Sequence, residues 1–252
     1  MLAGLISAMA LAAYVRAAHR LARPWPPGRT ACFAIGCVTV ALAALALDDV
    51  ANFTRHVAQH LLLGMVAPAL LSLGAPVTLV VRSVRPAGRR RILRLLHAPA
   101  VVALTYPVAV WALFGGSLFA LYFTPLYRLS VDHAVLHETL HLHFLVVGAL
   151  FFWPVVGVDP TPRRLPHGAR LAMVFLAVPF HAVLGMALLG ASAPMPGVAS
   201  LGQQRSGAGL LWAGGDLLGL LAVLIVAVQW AAHDERQAVR ADRRADAEGG
   251  AG

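Results

Sequence analysis

Seven stretches of this chain are apolar over about the length a helix needs to cross a bilayer, and that pattern excludes most other folds. Crossing a hydrocarbon layer of about 30 Å takes about 20 helical residues. The runs lie at Leu2–His19, Thr30–Leu47, Phe53–Leu73, Ala98–Phe123, Val131–Trp153, Ala169–Gly190 and Leu210–Trp230. Backbone amides in lipid must bond within their own segment, so runs of this length are expected as helices. The expected fold is an all-α integral membrane protein, a seven-transmembrane-helix bundle over residues 1–232. A charged tail, 233–252, is expected to be disordered. With 59% hydrophobic and 12% charged residues in 252, disorder of the whole chain is excluded.

The charge pattern gives an orientation. The net charge is +9 and all 20 basic residues are Arg. They fall between apolar runs rather than along one polar helix face, so a nucleic-acid partner is not expected. Arg16, Arg20, Arg23 and Arg29 follow the first run, and Arg82, Arg85, Arg89, Arg90, Arg91 and Arg94 follow the third. Arg163, Arg164 and Arg170 follow the fifth, and Arg236, Arg240, Arg243 and Arg244 the seventh. The alternate loops hold only Arg55, Arg128 and Arg205, with Asp48, Asp49 and Asp132. Positive charge stays in the cytoplasm, which predicts an exported N-terminus and a cytoplasmic C-terminus. The first run lacks a basic region before it and so reads as a retained span rather than a signal peptide. Segment 82–96 alternates Arg with Ile and Leu and reads as an amphipathic helix on the inner bilayer surface.

Ionisable groups inside spans are costly and point to function. His56 and His60 open the third span four residues apart, and His133, His137 and His141 descend the fifth at the same spacing. Residues four apart share a helix face about 6 Å apart along the axis, so each pair can aim two imidazoles at one site. The three fifth-span histidines form a stripe about 80° wide, with Glu138 about 60° beyond His141, whereas His143 points elsewhere. With the orientation above, both sets start at the exported side. His181 lies near the middle of the sixth span and Asp216 in the outer part of the seventh. Met65, Met186 and Met195 are soft candidates nearby. Asp48 and Asp49 can attract a cation or serve as a helix cap.

Imidazole suits copper, zinc or iron, and thioether favours Cu(I), so copper or zinc is favoured over magnesium or calcium. The competing use of these histidines is to fasten helices by hydrogen bonds. Cys32 and Cys37 diverge by about 140° on a helix and read as core packing. Pro68, Pro76, Pro107 and Pro179 are expected to kink or end helices, and Pro179 to tilt His181 inward.

The run Arg55-His56-Val57-Ala58-Gln59-His60-Leu61-Leu62-Leu63, with Ala67-Pro68 and Leu73-Gly74-Ala75-Pro76, resembles the signature of the CtaG-type, multi-span cytochrome c oxidase assembly factors. So do His133-Ala134-Val135-Leu136-His137-Glu138-Thr139-Leu140-His141, Phe152-Trp153-Pro154-Val155, Asp159-Pro160, Pro179-Phe180-His181-Ala182 and Gly215-Asp216. The resemblance covers about Asp48 to Trp230 and implies a non-enzymatic factor in a bacterial inner membrane that matures a haem-copper oxidase, handling copper on the exported side. It implies an oxidase subunit, and a copper-donor chaperone, as partners. The candidate metal set is His56, His60, His133, His137 and His141, with His181, Glu138, Asp216 and Met195 added. Two other functions fit the residues: an intramembrane zinc hydrolase with Glu138 or Asp216 as base, and a b-type haem protein with two axial histidines.

Overall fold

The computed structural model describes residues 2–47 and 52–249, so Asp48 and Asp49 lie outside the described residues. Every regular element among them is helical. The first two apolar runs form α1 (Leu2–His19) and α2 (Pro27–Ala46), the latter with Pro in its first turn, where no amide is needed. The third run becomes α3 (Phe53–Leu61), a wide π-type turn (Leu62–Val66) and α4 (Ala67–Leu73), and Asn52 caps α3 by accepting from the Arg55 amide at 3.2 Å. Then follow α5 (Pro76–Ser83), α6 (Pro86–Leu96) and α7 (Pro99–Leu104). The bundle is completed by α8 (Pro107–Phe123), α9 (Leu126–Asp132), α10 (Ala134–Val156), α11 (His167–Leu189) and α12 (Leu201–Gly249).

Five helices, one of them the bent α3–α5 segment, are long and apolar enough to cross a membrane, or six if α8 and α9, bent by 71°, count as one span. The first apolar helix is shorter, and the fourth expected span is divided, because Pro107 cannot continue a helix from the preceding residues. The fifth starts later than expected: residues 126–132 form a separate short helix, and α10 begins at Ala134. Segment 82–96 is also divided. Arg82 and Ser83 end α5, and α6 carries Arg89, Arg90, Arg91 and Arg94 with no buried residue. The tail expected to be disordered instead continues α12 as a helix to Gly249. Its Ala, Arg, Glu and Gln residues are strong helix formers, and an already formed helix extends without a new nucleus.

Large apolar side chains cover the outside, among them Ile35, Leu42, Phe175, Leu176, Leu217 and Leu224, each at least half exposed. A protein surrounded by water does not present such a belt; lipid accommodates it. The polar groups lie inside, where they tie helices together. Gln59 donates to the Ala43 carbonyl at 3.0 Å, joining α3 to α2, and Gln204 donates to Leu188 O at 2.9 Å while accepting from the Met195 amide. Arg170, 6% exposed, donates to the Val155 and Val156 carbonyls at the end of α10 and to Gln229 on α12. These bonds satisfy carbonyls that α10 cannot satisfy itself and lock three helices together.

A second clamp holds the break between α4 and α5. Ala75 adopts a left-handed conformation (φ 53°), a strained choice for a residue with a Cβ. The buried Asp159 carboxylate accepts from the Val77 and Thr78 amides at 2.9 and 2.7 Å and from the Thr78 hydroxyl at 2.5 Å. The loop after α10 thereby caps α5. Tyr14 and Phe33 stack 4.0 Å apart, and Cys37 packs in the same small cluster, away from the histidines. Both cysteines are free thiols.

Candidate metal centre

The local geometry starts from Pro68. Proline has no amide hydrogen, and its ring collides with the carbonyl four residues back, which is Gly64. The helix widens there into the Leu62–Val66 turn, closed by a bond from the Ala67 amide to Leu62 O five residues back. The Gly64 carbonyl turns outward toward α10 and meets Gly148. A Cβ built on Gly148 would stand 2.2 Å from that oxygen and 2.8 Å from the Pro68 ring. Only glycine lets α10 approach so closely, in the manner of a Cα–H···O contact.

This close crossing brings the histidine pairs together. His56 and His60 on α3 have ring centres 4.3 Å apart, and His137 and His141 on α10 have theirs 4.1 Å apart. Across the helices, His56 faces His137 at 5.5 Å and His60 faces His141 at 5.6 Å. The four imidazoles form two layers, and all are buried, between 1 and 6% exposed. Tyr127 stands edge-on to His56 at 4.9 Å and Phe144 edge-on to His60 at 4.6 Å. Both ring nitrogens of His56 and of His60 are buried without a hydrogen-bond partner in the protein.

Two imidazoles sharing an ion through bonds of about 2.0 Å have ring centres about 5 Å apart. The observed spacings bracket that value. The rings are tilted against one another rather than converging, and among the described residues no three His, Cys, Asp or Glu groups form a ready-made cage. Four imidazoles are the donor type of a nitrogen-loving ion and their spacing is of the right order, but their rings would have to turn before three of them could converge on one.

The other sequence candidates lie apart from these layers. His133 is exposed and precedes α10 in an extended conformation, its Nδ1 3.0 Å from Leu129 O, so the expected three-histidine stripe contains two on the helix. Glu138 is at the rim, 66% exposed, with its carboxylate 3.9 Å from His141 Nδ1. Met195 packs against the core from its loop, where Gly197 lies over Tyr127. His143 bonds Ser117 at 2.8 Å, Met186 is half exposed, and Asp216 is partly buried beside Gly215 on α12. His181 is buried deeper in the bundle, against the Gly215 backbone. Tyr127, Phe144 and Gly148 are absent from any spacing motif. Only Pro68, four residues after Gly64, hints at the crossing.

Fold and site together define a polytopic helical membrane protein with a buried, layered imidazole cluster near the start of two packed helices. The chain belongs to the family of cytochrome c oxidase caa3 assembly factors, whose model matches residues 11–233. It is similar to uncharacterized proteins of Mycobacterium bovis and Mycobacterium tuberculosis, each 36% identical over 98% of this chain, and of Mycobacterium leprae, 36% identical over 94%. The chain spans about 40% of the length of these relatives. No solved structure matches it significantly.

Proposed function

We propose that this assembly factor spans the membrane seven times with its N-terminus exported, and that it holds copper at His56, His60, His137 and His141 for delivery to an oxidase subunit. The observation that carries the reading is the pair of buried imidazoles, His56 and His60, whose four nitrogens lack protein partners and face two further histidines. A histidine that fastens helices uses its nitrogens in hydrogen bonds; a histidine that receives an ion keeps them available. Copper is favoured over zinc by the role of the family, whose product contains copper, and imidazole accommodates either oxidation state. Tilted rings that must turn to close on an ion suit cargo that has to leave again. Glu138 at the rim gives incoming cations a negative charge beside His141. The family role supports delivery rather than catalysis.

The test is elemental analysis and an optical spectrum of detergent-purified protein prepared with copper and zinc both present, compared with His60→Ala. Copper near one or two equivalents, lost in the variant and without a Soret band, is the expected result. Full copper occupancy in both His60→Ala and His137→Ala removes the assignment. Stoichiometric zinc with hydrolytic turnover, or a Soret band, replaces it by one of the two alternatives.

A further inference from the structure

Met65 lies five positions after His60, which on a regular α-helix would place the two about 140° apart. The helix is widened over Leu62–Val66, and Met65 lies inside that turn. His56, His60 and Met65 are buried along a single segment, at 1, 3 and 5% exposure. The turn that brings α10 close also carries a buried thioether.

Met65 borders a cavity of about 10 Å³, room for one water-sized atom. His181 of α11 borders the same cavity, 2% exposed, with its Nδ1 buried and without a partner in the protein. The rest of the wall is apolar: Phe114, Phe151, Phe152 and Val174 are among it. The histidine is seated by α12, because a Cβ on Gly215 would lie 2.3 Å from His181 Cγ. An imidazole and a thioether facing a one-atom space in an otherwise dry interior form a donor pair for a soft, singly charged ion. Divalent ions need more donors and more charge than this wall supplies, whereas Cu(I) accepts few, soft ligands.

We propose that Met65 and His181 form a second station for Cu(I), separate from the four histidines and joined to them by the segment that carries His56, His60 and Met65. The proposal rests on the copper reading of the four-histidine cluster. The ion arrives and leaves as Cu(I), so no electron is exchanged at the station.

The experiment is anaerobic titration of the detergent-purified full chain with Cu(I) against a competing chelator, followed by copper X-ray absorption. Wild type is expected to show a sulfur scatterer together with nitrogen. Met65→Leu, close in volume, should lose that sulfur and one equivalent of copper while keeping the copper bound by the cluster. His181→Gln should lose the same equivalent. Gly215→Ala, which displaces the His181 ring while leaving both donor residues in the sequence, should lose it too, with helicity and elution volume unchanged. A purely nitrogen copper shell in wild type overturns the station and leaves the cluster standing, as does sulfur retained in Met65→Leu at unchanged stoichiometry. Absence of copper from wild type overturns both.

Discussion

The contact between Gly148 and the Gly64 carbonyl allows the four-histidine arrangement to be tested without touching a histidine. Gly148→Ala places a methyl carbon 2.2 Å from that oxygen, where ordinary contact begins near 3.4 Å. The opposing group is backbone held by a closed turn, and the Pro68 ring behind it, 2.8 Å from the same methyl, is equally unable to swing away. The helices must part by roughly 1 Å, since dispersion contacts give way steeply to repulsion below their optimum. Overpacking of this kind costs about 1–3 kcal/mol, which a bundle of this size survives. Metal bonds tolerate displacements of only about 0.2 Å. Moving His137 and His141 away from His56 and His60 should therefore weaken copper binding by about 10–100-fold, as disturbed supporting contacts do at metal sites. The assay is competition against a chelator of known affinity on detergent-purified protein, with circular dichroism to confirm the helices. Gly116→Ala is the control, because a Cβ there meets nothing within 4 Å. Wild-type copper affinity in Gly148→Ala with the helices intact would refute the idea that this crossing sets the site.

Asp159→Ala removes the acceptor of three hydrogen bonds at the start of α5 and leaves Ala75 to hold its left-handed conformation unaided. A loss of about 2–4 kcal/mol, seen as a lower thermal midpoint with unchanged copper stoichiometry, is expected; an unchanged midpoint would show that the clamp contributes nothing. Arg170→Lys keeps the charge but cannot reach two carbonyls and Gln229 with one ammonium, so a loss of about 1.5–3 kcal/mol is expected in the same unfolding assay. Retention of full stability would mean that the guanidinium fork is dispensable. Tyr127→Phe deletes a buried hydroxyl that has no partner in the protein and should leave both stability and copper binding unchanged, whereas Tyr127→Ala uncovers His56 and should speed copper release in stopped-flow chelation. Equal release rates in the two variants would remove Tyr127 as a cover.

The fold was legible wherever a single period decided it. Apolar runs of span length mark helices, and the four-residue spacing of His56 with His60 and of His137 with His141 survives in the structure because both pairs lie inside regular α-helix. The same arithmetic failed at the edges of regularity. His133 belongs to the spacing pattern but not to the helix, since the chain breaks between Asp132 and Ala134. The pairing of α3 with α10 depends on Gly148 meeting Gly64, a tertiary contact between residues 84 positions apart that no local pattern encodes.

Physical cost is where the binding reading and the fastened-core reading differ. A buried polar group left without a partner costs about 1–3 kcal/mol, and His56 and His60 together present four such nitrogens. The groups that tie helices together are bonded: Gln59 and Gln204 each reach a backbone carbonyl on a neighbouring element, Arg170 makes three bonds, and Asp159 accepts three, whereas single atoms such as the Tyr122 and Tyr127 hydroxyls and the Trp111 and Trp153 indoles share the unpartnered state of the histidines. If the α3 histidines were fasteners, they would bond across to α2, α10 or α12 as the two glutamines bond across to their neighbours. They instead lie ring to ring with other imidazoles, an arrangement that worsens if the rings become charged together and improves when a cation with empty coordination positions enters between them. The cost of burying these imidazoles without partners would then be part of the free energy released on copper binding, and the protein should gain thermal stability with copper. His56→Leu/His60→Leu should then be at least as stable as the unloaded parent and indifferent to copper. A double variant less stable than the unloaded parent would show that the imidazoles hold the helices together after all.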